Sequence, residues 1–166
     1  MTQDKLFEDF LEKYKRLARQ SAEEKRLIMN HLCIRVPDLA RAEKLLAESF
    51  GIDNFIRLDT GKNQMFPGEK ALSVAWLAEG FYLELMEPAQ QSHLGYDAGE
   101  GPPIGHLSEI GFFTPNIDAE LQRLEKMGWR VTAECADAGG RMVKIDTDPP
   151  SGIPVELIQI LDFETE

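Results

Sequence analysis

Apolar and polar positions follow two different rhythms along this chain. Over residues 3–27, Leu6, Phe7, Phe10, Leu11, Tyr14, Leu17 and Ala18 recur every three or four positions with charges between them, which predicts one amphipathic helix. Its stripe must pack either on the domain or on a partner chain. The acidic residues along it argue against a membrane-surface role. From residue 29 onward the apolar runs shorten to strand length. Residues 29–36 read as a strand, and Pro37-Asp38 opens a helix over 39–50 with Asp38 as N-cap and Phe50-Gly51 as its end. A short strand at 54–58 follows, then a polar, turn-rich stretch at 59–69. Strands at 70–77 and 81–87 meet at Glu79-Gly80. Residues 88–103, PAQQSHLGYDAGEGPP, have little periodicity and many breakers and read as a long loop.

The same order then returns. Residues 106–113 read as a strand, Pro115-Asn116 opens a helix over 117–127 that Gly128 ends, and 129–135, 141–146 and 153–160 read as three strands. His31 to Glu109, Pro37 to Pro115 and Leu39 to Ile117 are each 78 positions apart. The last strands, LELME and VELIQ, each centre an acid among apolar residues, with Glu84 and Glu156 72 positions apart. Each half is β-α-β-β-β, and repeated units of this kind pack across a shared core. The expected fold class is α+β: paired βαβββ modules forming a cupped mixed sheet, plus an extra N-terminal helix. The expected division is a helix at 1–28, a first module at 29–88, a linker at 89–104 and a second module at 105–162.

Strand alternation sorts the side chains. Leu32, Ile34 and Val36 suit packing on a helix, which turns His31, Cys33 and Arg35 to the other face. In the matching strand Glu109, Gly111 and Phe113 face that way, and in the final strands Glu84 and Glu156 do so with Tyr82, Met86, Ile158 and Ile160 around them. Four polar groups, His31, Glu84, Glu109 and Glu156, therefore converge from four strands onto one face. A carboxylate among apolar neighbours is costly unless paired or metal-bound. One histidine with three carboxylates is a hard, oxygen-rich set that suits six-coordinate Mn, Co, Ni, Fe or Mg better than a thiolate zinc site, with Zn still open. Singly, each residue has an ordinary reading: His31 as a satisfied strand histidine, Glu84 and Glu156 as solvent-facing acids, Glu109 as the partner of Arg35. Their equivalent places in a repeat put the ligand reading ahead.

Composition narrows the rest. Acidic residues outnumber basic ones 29 to 18, for a net charge of −11, and no basic stripe is present, which argues against nucleic acid as a partner. No apolar run approaches the roughly 20 residues of a membrane span, and the charged N-terminus lacks a signal peptide's apolar core. Two cysteines are too few for a disulfide framework, so the expected setting is cytoplasmic, with free thiols. Cys33 faces the site without a mark of a nucleophile. His93 is expected exposed in the long loop, Arg141 and Lys144 at the surface, and Trp76 and Trp129 in the core or a pocket wall. GGRMVK at 139–144 is a hairpin turn and not a phosphate loop, since no helix opens after it.

NHLCIRVPDLARA, FYLELMEP, GFFTPNIDAELQRLEKMGW and GIPVELIQI together resemble the vicinal oxygen chelate superfamily of glyoxalases, bleomycin-resistance proteins, epimerases and extradiol dioxygenases, over roughly residues 29–161. The nearest likeness is to glyoxalase I-like and methylmalonyl-CoA epimerase-like members. The resemblance implies a homodimer and a divalent metal on His31, Glu84, Glu109 and Glu156, with His106 as reserve for Glu109, where many members carry histidine. It implies a metal-dependent isomerase, epimerase or lyase abstracting a proton next to a carbonyl of a small or thioester-linked acid, with Glu156 as base and Arg35, Tyr82 and Phe113 as substrate contacts. The third strand supplies Ser73 but no acid, and Glu69 lies just outside it, which departs from the epimerases. A dication on three glutamates and a neutral histidine leaves a net −1. A metal-free small-molecule binding protein of the same fold is the alternative. A ring-cleaving dioxygenase ranks lower, because that chemistry uses two histidines and one carboxylate.

Overall fold

The computed structural model describes residues 2–58, 69–78, 80–88, 106–136, 139–147 and 154–161. The side chains of Glu69, Lys70 and His106 fall outside the described set, as do His93, residues 59–68 of the expected turn-rich stretch at 59–69 and residues 89–103 of the expected loop at 88–103, while Glu69 and Pro88 lie in strands. Three helices and eight strands follow in the order α1 (Gln3–Glu24), β1 (Ile28–Arg35), α2 (Leu39–Phe50), β2 (Ile56–Leu58), β3 (Glu69–Ala78), β4 (Phe81–Pro88), β5 (His106–Phe113), α3 (Ile117–Glu125), β6 (Trp129–Ala136), β7 (Gly140–Thr147) and β8 (Val155–Ile160). The strands form one mixed sheet in the order β2-β3-β4-β1-β5-β8-β7-β6. This is the α+β architecture of two βαβββ units that the repeat predicts. None of the described helices is long and apolar enough to cross a membrane.

A local dyad relates the two halves. It passes where β1 and β5 run antiparallel, with Leu32 opposite Ile110, His31 opposite Gly111 and Cys33 opposite Glu109. Leu32 and Ile110 are themselves equivalent residues of the repeat. On either side the pattern matches: β1 pairs parallel with β4, Cys33 opposite Glu84, and β5 pairs parallel with β8, Gly111 opposite Glu156. The helix starts match too. Asp38 and Asn116 are both N-caps, accepting from the backbone N–H three residues on. The next backbone N–H, at Leu39 and at Ile117, donates to the equivalent side chains Glu87 (3.0 Å) and Gln159 (2.9 Å) of the last strand in each half. Gly51 ends α2 at φ 70°, a left-handed geometry that glycine adopts without strain.

The two faces of the sheet are packed differently. One carries α2 on Val36, Ala75, Leu83 and Leu85, and α3 on Val143, Ile145 and Leu157, and its clusters are aliphatic with few aromatic rings. Ser73, opposite Leu85 in register, turns to this side. The other face carries α1. Phe10 packs on Ile56, Val74 and Tyr82, and Leu17 and Ala18 pack on Phe113 and Ile158. The N-terminal stripe is therefore satisfied by its own domain, on the face that the ionisable residues share.

Candidate metal centre

Four residues expected at the site do lie on the α1 face, but they divide into two overlapping groups. His31, Glu109 and Glu156 bring one ligand atom each to within 4.8 Å of one another, and so do Cys33, Glu84 and Glu109. Glu109 belongs to both. Glu84 thus joins His31 and Glu156 only through Glu109, and the compact triad has one histidine and two carboxylates. His31 is 0%, Glu109 3% and Glu156 5% exposed, so Glu156 is not a solvent-facing acid, while Glu84 is partly buried.

His31 is held from three sides. Its ring stacks on Tyr82 at 4.9 Å and 20°. Gly111 lies across the strand, and a methyl group there would stand 2.0 Å from His31 Cε1 and 2.1 Å from Nδ1, so the ring occupies space that only glycine leaves. His31 Nδ1 lies 2.7 Å from Asn30 Oδ1. An amide oxygen only accepts, so Nδ1 carries the proton and Nε2 presents a lone pair. That Nε2 is buried without a hydrogen-bond partner and sits 3.6 Å from Glu156 Oε2. Burial first, and the Lys144 ammonium second, push the His31 pKa down to about 3, so the ring is neutral at pH 7. A lone pair facing a carboxylate is repulsive, and a cation between them makes both contacts favourable. In donor type and in this unsatisfied nitrogen, the triad fits a divalent ion.

Lys144 corrects the expectation of a surface lysine. Its Nζ lies 2.9 Å from Glu109 Oε2, with the side chain 14% exposed. Burial opposes its charge, but the Glu109 and Glu156 carboxylates outweigh that and hold the ammonium above the usual lysine range. Glu109 is thus paired, though with Lys144 and not with Arg35. The signal was present in the sequence: Val143 and Ile145 face α3, so alternation turns Lys144 inward, opposite Glu156 in register. With Lys144 counted, a dication among Glu84, Glu109 and Glu156 leaves the centre neutral, and the net −1 disappears. Arg141 is partly exposed and pairs with Asp118 (2.6 Å) and Glu134 (2.7 Å), near its expected place.

The remaining groups frame the triad. Cys33 is fully buried, and burial first, then the Glu84 and Glu109 carboxylates, hold its thiol protonated so that it donates to Glu84. Tyr82 and Phe113 are buried on this face. Tyr14 of α1 meets Phe113 edge-on at 4.7 Å and Tyr82 at 6.3 Å, and desolvation followed by the Glu156 and Glu84 carboxylates raises its phenol pKa. Arg35 is partly buried at the end of β1, opposite Met86. Trp76 packs beside Tyr82 under α1, and Trp129 lies in the cluster under α3. Asn30, Gly111 and Tyr14 escaped the sequence reading, because their roles depend on cross-strand register and on where α1 docks.

Residues 30–145 match the family model described as the glyoxalase/bleomycin resistance protein/dioxygenase superfamily, so α1 lies outside the matched span. No curated protein matches the sequence. Among solved structures, a variant of the Streptomyces coelicolor methylmalonyl-CoA epimerase in complex with 2-nitronate-propionyl-CoA is similar at 18% identity and a TM-score of 0.62, over 84% of this chain and 98% of that one. The Mycobacterium tuberculosis methylmalonyl-CoA epimerase is similar at 20% identity and a TM-score of 0.56, over 79% and 86%. A methylmalonyl-CoA epimerase in complex with methylmalonyl-CoA and NH4+ is similar at 18% identity and a TM-score of 0.61, over 84% and 98%. At these identities the likeness is one of fold.

Proposed function

Because this chain belongs to the glyoxalase/bleomycin resistance protein/dioxygenase superfamily, we propose that it is an epimerase-like enzyme that moves a proton next to a carbonyl of a small or thioester-linked acid. The observation that carries this reading is the buried, unpartnered His31 Nε2 facing two buried carboxylates. His31, Glu109 and Glu156 would hold a divalent metal, with Glu84 in reach through Glu109. When bound there, such an ion supplies polarisation of the carbonyl and offsets enolate charge. Its identity among Mn, Co, Ni, Fe, Mg and Zn is set partly by availability.

Glu156 is the base. Its carboxylate takes the proton from the carbon beside the carbonyl, the C–H electron pair forms a carbon–carbon double bond as the carbonyl π pair moves onto oxygen, and an enolate results. Return of a proton to the opposite side needs a second carboxyl group. Glu84 is the dyad mate of Glu156, approaches from the other half, and is held by the Cys33 thiol. Glu84 takes this role because β3, which opens on Glu69, carries no acid from Lys70 to Ala78. Tyr82 and Phe113 form the apolar wall, and Arg35 serves an anionic substituent. Substrate entry requires α1 to leave this face, because Phe10, Tyr14 and Leu17 pack over the wall residues. A homodimer follows the family pattern.

The test is deuterium exchange from D2O into the carbon between the two carbonyl groups of methylmalonyl-CoA, with the full chain loaded with Mn2+ or Co2+. Exchange that disappears in Glu156→Gln supports the proposal. A second reading has its own support: Lys144 already supplies a cation to Glu109, as a metal-free binding protein of the same fold would need. No exchange, together with chelator-insensitive binding of an apolar ligand, selects that reading.

A further inference from the structure

Three glutamates, Glu84, Glu109 and Glu156, gather on the α1 face beside His31, and an ammonium, that of Lys144, is placed among them. Its Nζ is 2.9 Å from Glu109, the one carboxylate that both donor groups share. In register it stands directly opposite Glu156 on the neighbouring strand. The equivalent place in the first half, opposite Glu84, holds Val74. The lysine is therefore a departure from the repeat, on the side where the triad assembles.

We propose that Lys144 is the resident counter-cation of this centre and competes with a divalent ion for Glu109. The inference rests on the metal reading above and adds to it a residue that sets how readily the centre fills. Buried carboxylates with no cation are expensive, and losing one partner of a buried pair leaves the other uncompensated. Lys144 lets the domain fold without metal by neutralising Glu109. A divalent ion on the triad must draw the same carboxylate, at close range to a like charge. The ammonium therefore lowers the affinity of the centre for metal while it protects the empty fold. A centre of this kind fills only where the ion is abundant or where substrate oxygen atoms add to its ligands.

The experiment titrates Mn2+ into the full-length protein and follows both binding and thermal melting, in wild type, Lys144→Met and Lys144→Gln. Lys126→Met, a change at an exposed lysine just past α3, controls for loss of overall charge. Lys144→Met should bind Mn2+ about tenfold or more tightly than wild type. It should also melt lower than wild type in chelator and recover with Mn2+, while Lys126→Met behaves as wild type. If Lys144→Met is too unstable to purify without metal, Lys144→Gln carries the same test, and purification of either variant only in the presence of Mn2+ supports the proposal. Unchanged or weaker Mn2+ affinity in both variants, with binding still abolished by Glu156→Gln, overturns the role of Lys144 and leaves the metal reading standing. No Mn2+ bound by wild type or either variant overturns both.

Discussion

Across the dyad, Cys33 and Gly111 occupy equivalent places, as do His31 and Glu109, Glu84 and Glu156, and Val74 and Lys144. In the second half Gly111 leaves room for the His31 ring, which reaches across β5 toward Glu156. In the first half Cys33 fills the corresponding place, and its thiol ties up Glu84. A symmetric scaffold thus carries an asymmetric centre, displaced into the second half by a glycine, a cysteine and a lysine. The lesson is that duplication supplies converging carboxylates, and the small residues at the dyad decide which of them meet.

Exchanging the two dyad-related acids tests this comparison most severely. Glu156→Gln should abolish binding of Mn2+ by the full-length protein, whereas Glu84→Gln should weaken it only about 10–100-fold, as expected of an outer partner. Equal losses, read by titration calorimetry, would mean that the centre sits on the dyad. The next largest effect belongs to Gly111→Ala. Its methyl group would meet the His31 ring at 2.0 Å, and overpacking of this kind costs about 1–3 kcal/mol. Chemical denaturation should show that loss, and Mn2+ affinity should fall with it. A Gly111→Ala protein with unchanged affinity would show that His31 does not need this space.

A smaller and pH-limited effect comes from the same ring. The folded-state pKa of His31 is pushed down to about 3, below the ordinary histidine value of 6.5. The unfolded chain therefore binds the extra proton first on acidification. The contribution of His31 to stability is full above pH 6.5 and is lost as pH falls from 6.5 toward 3. Metal-free melting temperatures of wild type should drop over that window more steeply than those of His31→Gln, and parallel curves would contradict the neutral buried ring. The smallest effect is expected for Cys33→Ala, which removes the donor to Glu84 but no atom of the triad. It should change stability by about 1 kcal/mol and leave Mn2+ stoichiometry alone.

Much of the architecture was legible in the chain. The 78-residue offset of His31, Pro37 and Leu39, the two N-caps and the alternation of β1, β4, β5 and β8 determine the repeat, the helix faces and the shared face of four polar groups. These signals are local, and local periodicity survives folding. What escaped depends on distance. The place of Gly111 beneath His31 follows from the antiparallel register of β1 and β5, which no short window encodes. The separation of Glu84 from His31 follows from the parallel register of β1 and β4, which sets Glu84 opposite Cys33 and Tyr82 opposite His31. The docking of α1 over the site could not be told from a stripe that suited any apolar surface. Lys144 is a different case: its strand was recognised, and carrying the alternation of β7 through would have turned it inward.

The proposed centre holds a divalent cation between His31 and the two second-half carboxylates, off the dyad. Crystals of the full-length protein grown with Mn2+, with anomalous scattering recorded at the Mn edge, test it directly. The expected result is one peak within about 2.0–2.4 Å of His31 Nε2 and of oxygen atoms of Glu109 and Glu156, with Lys144 withdrawn from Glu109. No peak there, or a peak held by Glu84 and Cys33 in the first half, contradicts it.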